Sequence, residues 1–398
     1  MARTETDFFI AGGGIAGLTA ALAVARTGMR VVLAAPARPI TAPTEDGSDL
    51  RSTAFLQPAR QLMDEIGLWS ALASDAVPLE GLRLIDTVGW PPEVKDKREF
   101  RANDLGASCF GWNLINWRVS AALMSVLDEE PLVDMRFGRR FASMLTRRSG
   151  VIVRLSDGES VAARLVVAAD GRNSAVRAAA GIGVDTTRYG QKALAFTVTH
   201  PVPHGNVSTE VYNSGGPFTM VPLPDQSGQP ASAIVWMNPG PKALALASAN
   251  PVAFEAEMSA RSAYHLGPLA LTSARRVWPI VSQRARALTA ERTAILAEAA
   301  HVVPPIGAQG LNTSLNDVAA LRDLIAASPE ALGSPGMLAQ FARARTLDIQ
   351  ARVAAIDLFN RVTRSGAPRM QAFRRNALKA IYDIRPLRQA VMRAGMAQ

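Results

Sequence analysis

Three short stretches of the chain carry residue types and spacings able to do chemistry. The first is Gly12-Gly13-Gly14-Ile15-Ala16-Gly17. Gly12 permits a tight strand-to-helix turn, Gly14 lets the backbone approach a pyrophosphate, and Gly17 lets the helix pack closely on the strands. The helix start at Ile15 and Ala16 offers unbonded N–H groups and a positive dipole end to phosphate. An acid usually ends the next strand, about 20 residues on, and binds the ribose hydroxyls. Here that strand reads Val31-Val32-Leu33-Ala34-Ala35-Pro36, and the next acid is Glu45. Either the following loop supplies a substitute, with Arg38 the candidate, or the ribose is held less tightly.

The second stretch is Leu165-Val166-Val167-Ala168-Ala169-Asp170-Gly171, continuing to Ser174 and Arg177. A buried strand delivers an acid and a glycine to a turn; by itself this is either a ligand-facing turn or a simple Asp-Gly turn with an N-cap. The third is Ala299-Ala300-His301-Val302-Val303-Pro304-Pro305-Ile306-Gly307-Ala308-Gln309-Gly310-Leu311-Asn312. Two prolines fix the backbone, Gly307 and Gly310 allow a flat group to approach, and a following helix start can face a developing anion. His301 reads as a packed or capping histidine or as a base. The chain has four histidines and one cysteine, Cys109, without metal-ligand spacing, so no metal is expected.

The elements that must position these groups follow from pattern. Asp7–Ala11 reads as a buried strand, Ile15–Thr27 as a helix closed by Gly28, and Arg30–Ala34 as a second strand, together a β-α-β unit. Residues 36–50 read as a loop, and a helix is expected from Ser52 toward Gly67. Further strands are expected over Leu82–Arg101, Val151–Leu155 and Ser160–Ala169, with helices over Trp117–Glu129, Val252–Tyr264 and from Leu311. Between Gly190 and Met237, short alternating segments broken by Pro and Gly predict an antiparallel sheet.

At 398 residues two interleaved domains are expected. Hydrophobic residues at 48% and charged residues at 19% fit a globular chain rather than a disordered one. No secretion signal or apolar run long enough to span a membrane is seen, and the lone Cys109 fits a reducing compartment, so the expected location is the cytoplasm. Net charge is +9, and residues 339–398 carry twelve Arg/Lys against three acids. That basic end suits either a solvated helix face or an anionic membrane surface. Nucleic acid is disfavoured as a partner, because aromatics are scarce among the basic residues and no reading-helix motif accompanies them.

In their order and spacing, the three stretches resemble the class A flavoprotein monooxygenases, over nearly the whole chain. The family's glycine turn matches Gly12, Gly14 and Gly17, its Asp-Gly motif matches Asp170-Gly171, and its glycine- and proline-rich flavin segment matches residues 297–312. Asp49-Leu50-Arg51-Ser52-Thr53-Ala54, Glu65-Ile66-Gly67-Leu68-Trp69 and the C-terminal run with Phe341, Arg345 and Phe359 resemble the ubiquinone-biosynthesis hydroxylase branch.

The resemblance implies an α/β architecture: a Rossmann-like FAD-binding domain (1–75, 102–183, 276–338) interleaved with an antiparallel-sheet substrate domain (76–101, 184–275), then basic C-terminal helices (339–398). It implies FAD as cofactor and NAD(P)H and O2 as co-substrates. Oxygen would reach the aromatic ring of a polyprenyl phenol through a C4a-hydroperoxyflavin, the ring chemistry belonging to the cofactor. Gly12, Gly14, Ile15, Ala16, Gly17, Asp170 and Gly171 would hold the ADP and pyrophosphate, and Arg51 and Arg118 the flavin side and phosphates. Glu298 would meet the ribityl chain, and Pro305, Gly307, Gly310, Leu311 and Asn312 would line the flavin ring. No catalytic base is identified.

The chain departs from the pattern at Ala35, Ala297-Glu298, Ala308 and Ser314, where an acid, Gly-Asp and two glycines are usual. Two other readings stay open: a hydroxylase of a small soluble phenol, and a weakly active FAD-binding scaffold of a quinone-biosynthesis complex. A peripheral contact of the basic helices with the inner face of the cytoplasmic membrane is the remaining partner expectation.

Overall fold

The computed structural model describes residues 4–396. The ends of the expected partition and of the N-terminal reading, residues 1–3 and 397–398, lie outside the described residues. The helices in chain order are α1 (Ile15–Ala25), α2 (Gln57–Glu65), α3 (Asn116–Asp128), α4 (Ala175–Ala179), α5 (Gly240–Ser248), α6 (Pro251–Arg261), α7 (Ala297–Ala300), α8 (Gln309–Ala327), α9 (Pro335–Arg364), α10 (Pro368–Asp383) and α11 (Arg385–Gly395).

An eight-stranded sheet runs in the order 289–290, 293–295, 160–168, 4–11, 31–35, 133–137, with a hairpin of 141–147 and 150–155 joined to the side of 160–168. Its central strands pair in parallel, Phe8 facing Leu165 on one side and Val31 on the other. Parallel strands covered by helices are buried on both faces, which is why Phe8-Phe9-Ile10-Ala11 and Val31 to Ala35 are continuous apolar runs rather than alternating ones. Helix α1 contributes Leu18, Ala20, Ala21 and Leu22 to the same core, where small side chains let it lie close to the sheet.

The second sheet has nine strands, in the order 301–302, 276–285, 184–199, 229–239, 218–226, 207–212, 81–88, 93–101, with 270–271 paired beside 184–199. The predicted antiparallel sheet is thus present. Arg276–Ala285, which the expected partition gives to the cofactor part, pairs with Val184–Ala195 in this sheet. One face packs Phe196, Phe218 and Trp236 against Ala243 and Leu246 of α5 and Phe254 and Met258 of α6.

The expected helix from Ser52 is corrected. Ser52–Leu56 is a strand whose five residues pair antiparallel with Gly111–Ile115, and the helix starts only at Gln57. Ser52, Thr53 and Phe55 suit a pleated surface, and Pro58 belongs to a first helical turn, so two elements share one apolar stretch. Gly111 is required there, because a Cβ would stand 2.2 Å from the Phe55 carbonyl oxygen.

The C-terminal region is helical as expected. Helix α10 is anchored by Arg374, 1% exposed, whose guanidinium reaches both Asp86 oxygens at 2.7 and 3.1 Å and the Thr363 carbonyl at 3.3 Å.

Candidate functional site

The three stretches meet at the carboxyl ends of adjacent parallel strands, the place where open α/β sheets leave a crevice. Ala11 sits beside Ala168, the Ala169 N–H donates to the Ala11 carbonyl at 2.8 Å, and the Leu296 N–H donates to the Ala168 carbonyl at 2.9 Å. The glycine turn divides its labour by space. At Gly12 a Cβ would stand 2.1 Å from the Ala169 carbonyl oxygen, at φ +122°, and at Gly17 2.1 Å from the Gly12 carbonyl oxygen. Both glycines are therefore needed for the fold itself. At Gly14 no atom lies within 4 Å of such a Cβ, so this glycine faces open space. Gly14 is the N-cap of α1, with no side-chain cap and no acid in the first turn. The N–H groups after Gly14, at Ile15 and Ala16, are thus left for an anion.

Asp170 accepts the Ala175 and Val176 N–H groups on one oxygen, at 2.8 and 3.2 Å, capping α4. Its other oxygen is buried without a partner. Gly171, at φ +82°, has open space where a Cβ would be. An orphaned carboxylate oxygen and an open glycine beside the Gly14 turn fit a polar ligand that crosses this crevice. Arg177, buried, donates to the Ala299 carbonyl at 2.8 Å and so ties the Asp170 turn to α7.

Around α7 the chain departs from glycine at a cost. Ala297 has φ +53° and Ala308 φ +58°, the left-handed region that glycine occupies freely and alanine enters at about 1–2 kcal/mol. Part of that cost is offset because alanine also restricts the unfolded chain, by ~0.4–1 kcal/mol. Ala297→Gly and Ala308→Gly are each expected to stabilise the protein by about 0.5–1 kcal/mol, read from chemical denaturation. Ser314 is buried, and its hydroxyl bonds the Gly310 carbonyl at 3.0 Å. Pro305 and Gly307 lie in the loop before α8, Gly307 at φ +61°, and Gly310 and Leu311 in its first turn.

His301 is a packed histidine, not a free base. It is 3% exposed, and its Nε2 lies 2.7 Å from Asp317. Asp317, 1% exposed, also accepts the Ala297 N–H at 3.2 Å and Arg345 Nε at 2.7 Å. Burial pushes the Asp317 carboxyl up, but His301 and Arg345 outweigh this and hold it below its ordinary value. The Asp317–Arg345 hub was not foreseen. Its one sequence signal is an acid on a helix face that otherwise buries Leu315, Val318, Leu321 and Ile325. Asn312 is a second clamp: it donates to the Ala54 and Ala308 carbonyls at 2.7 and 2.6 Å and accepts the Leu56 N–H at 2.8 Å.

Arg51 is bound by Asp49 through two hydrogen bonds, at 2.7 and 2.6 Å, and its guanidinium lies 5.4 Å from the Trp278 ring centre. The Asp49 hydrogen bond holds the Arg51 cation above its ordinary value against burial, with the charges of Asp49 and Glu298 adding to it. Glu298, about half exposed, lies 3.9 Å from Arg172. Arg51, Asp170 and Glu298 are thus brought to one crevice, whereas Arg118 pairs with Asp75 at 2.7 Å. Arg38 pairs with Asp128, so the loop does not leave it free as a ribose partner, and Ala35 is buried. Among the described residues no cluster of His, Cys, Asp and Glu could hold a metal ion.

A family described as FAD binding domain matches residues 5–355. Ubiquinone hydroxylase UbiL of Rhodospirillum rubrum is 32% identical over 98% of this chain and 89% of its own length. The 3-demethoxyubiquinol 3-hydroxylase of Escherichia coli is 26% identical over 96% of this chain and 95% of its own. The crystal structure of p-nitrophenol 4-monooxygenase PnpA from Pseudomonas putida superposes with a TM-score of 0.79 at 18% identity, covering 98% of this chain and 97% of that one, and shows the shared fold. The chain therefore belongs to the FAD-binding-domain family of flavoprotein monooxygenases, in its ubiquinone-hydroxylase branch.

Proposed function

We propose that the protein hydroxylates the aromatic ring of a polyprenyl phenol in ubiquinone biosynthesis, with NAD(P)H and O2 as co-substrates. The observation that carries this is the likeness to a ubiquinone hydroxylase over 98% of the chain, site segments included. Bound FAD supplies the redox chemistry, taking two electrons from the nicotinamide and activating O2 toward an electron-rich ring. The chain supplies binding, orientation and exclusion of water.

Gly12, Gly14, Ile15, Ala16, Gly17, Asp170 and Gly171 hold the ADP and pyrophosphate, Arg51 balances anionic charge, and Arg118 does so only on exchanging its Asp75 partner. Glu298 meets the ribityl chain, while Pro305, Gly307, Gly310, Leu311 and Asn312 frame the flavin ring. In this reading the FAD-binding part takes 1–75, 102–183 and 276–338 and the substrate part 76–101 and 184–275, although strand 276–285 pairs within the sheet of the substrate part. The open space at Gly14 gives a test of the cofactor assignment. Gly14→Val is expected to melt close to wild type yet bind FAD at least ~100-fold more weakly, about 2.7 kcal/mol. Gly12→Ala is expected not to fold, because its Cβ meets backbone.

A strain lacking the gene is expected to accumulate one prenylated phenol short of a ring hydroxyl, identified by mass spectrometry; unchanged quinone content contradicts the reading. Purified protein that is yellow supports the enzyme, and a colourless one that refuses FAD supports the scaffold.

A prenylated substrate resides in lipid, and the C-terminal helices offer a matching surface. Met370, Phe373, Ile384, Leu387 and Val391 are exposed among Arg369, Lys379, Arg385 and Arg393. Among the described residues no helix is long and apolar enough to cross a membrane. Exposed apolar side chains interleaved with cations suit the headgroup region of an anionic bilayer. Co-sedimentation with anionic vesicles, lost with neutral ones or in high salt, is the expected result. Absence of binding would leave that face to a protein neighbour in a quinone-biosynthesis complex.

A further inference from the structure

The strand Val207–Tyr212 alternates between two environments. Val211 enters the apolar cluster with Ile85, Phe218 and Trp236, packed against α5 and Phe254 of α6. Glu210 and Tyr212 therefore project to the opposite face. Directly paired residues share a face, so the register extends this one across the sheet: Glu210 sits beside Leu84 and Thr219, Thr219 beside Val235, and Val235 beside Ala195. The same face carries Ala193, Met237, Trp278 and Ile280, which pack with Val303 and Ile306 of the flavin segment. Tyr212 closes its other side against Leu84, Phe100 and Phe359. Glu210 thus stands on the apolar side of the sheet that looks toward the cofactor.

Its surroundings are unusual for an acid. Glu210 is 7% exposed, and its hydrogen-bond partner is the Tyr212 hydroxyl, which donates to one carboxylate oxygen. The nearby cations are engaged elsewhere. Arg374 is bonded by Asp86 through both oxygens, and Arg98 by Asp96 and Asp383. Arg261 lies across the sheet on the carbonyls of Val211 and Gly216. A structural carboxylate at such a depth is normally paired with a cation, since burying an unpaired charge is costly. Burial pushes the Glu210 carboxyl up, with the Tyr212 hydrogen bond pulling it partly back. Burial, then the Glu210 charge, holds the Tyr212 hydroxyl well above its ordinary value, so it stays a donor near neutral pH.

We propose that Glu210, oriented by Tyr212, is the general base that takes the hydroxyl proton of the phenol bound on this face. The assignment rests on the hydroxylase reading above. In the step one O–H bond of the substrate breaks and one forms on the Glu210 carboxylate. The electron pair stays on the phenolate oxygen, enriching the ring carbons ortho and para to it, and no redox equivalent is consumed. The carboxylic acid returns the proton to the product oxygen before release. A base near the operating pH serves best, and a carboxyl raised by burial moves toward that range.

The test uses full-length, FAD-loaded protein with a short-chain 2-prenylphenol as probe, product formation being measured against pH. Wild type is expected to show a rate that falls on the acid side as Glu210 becomes protonated. Glu210→Gln, with FAD content like wild type in its visible spectrum, is expected to lose ~10²–10⁴-fold in rate and the acid limb with it. Tyr212→Phe removes a hydrogen bond to the charged carboxylate and is expected to shift the acid limb upward with a smaller loss. Should Glu210→Gln not fold, that shift carries the test, as an inert buried pair would not move the pH profile. Glu210→Gln matching wild type at every pH, or Tyr212→Phe leaving the limb in place, overturns the assignment while the hydroxylase reading stands. Wild type that turns over no phenol overturns both.

Discussion

Asp317→Ala is expected to cost about 3–5 kcal/mol, the range found when one partner of a buried ion pair is removed. Three groups lose their acceptor at once: His301 Nε2, the Ala297 N–H and Arg345 Nε. Arg345 retains Asp348, at 2.9 Å, but His301 is left buried without its carboxylate. The loss should appear as a melting temperature lower by roughly 10 °C. It should reach the cofactor as well, because Ala297 is pinned at φ +53° partly by its bond to Asp317, and Glu298 follows directly.

The pH dependence has a definite sign. The Asp317 carboxyl is held below its ordinary value in the folded protein, so its contribution is present above the unfolded carboxyl pKa and is lost as pH falls through the folded value. The stability gap between wild type and Asp317→Asn is therefore expected to be full at neutral pH and to narrow below about pH 4. A gap that stays constant into acid would mean that Asp317 is not carrying its charge in the folded state.

Arg374→Met is expected to be of similar size, ~3–5 kcal/mol, for a different reason: it strands Asp86 as an uncompensated charge, 3% exposed, beneath α10. The lesion is local. Helices α10 and α11 are held to the sheet by Arg374, by Leu378, Ile381 and Tyr382 packed with Phe100 and Tyr212, and by Met392. Limited proteolysis is expected to cut between residues 365 and 396 in the variant, while the flavin absorbance is retained. The double variant Asp86→Leu/Arg374→Met is expected to regain most of the loss, because apolar replacement of a buried pair is often neutral or stabilising. If the double variant is no better than the single one, the pair orients α10 through its geometry rather than offsetting a buried charge.

How much of this was legible in one chain of letters depends on how local the cause is. The glycine turn, the Asp170 turn and the segment 299–312 were readable because each is a backbone requirement met within a dozen residues: Gly12 and Gly17 exclude a Cβ, and Gly14 leaves an opening. The β-α-β start and the antiparallel sheet were readable for the same reason, through periodicity and turn chemistry. The stretch after Arg51 was misread because its apolar pattern fits a helix and a strand alike. What decides for a strand at Ser52–Leu56 is pairing with Gly111–Ile115, over fifty residues away.

The sequence by itself determined the cofactor class, the α/β architecture and the backbone shape of the glycine turn, the Asp170 turn and the 299–312 segment, since these follow from local geometry. Only the tertiary structure decided the roles of isolated polar residues. His301 became a packed partner of Asp317 rather than a base, Arg38 went to Asp128, Asn312 became a clamp, and buried Glu210 took the Tyr212 hydroxyl as its hydrogen-bond partner. A charged side chain is defined by what neutralises it. Those partners come from strands and helices up to 288 residues apart, as with Asp86 and Arg374.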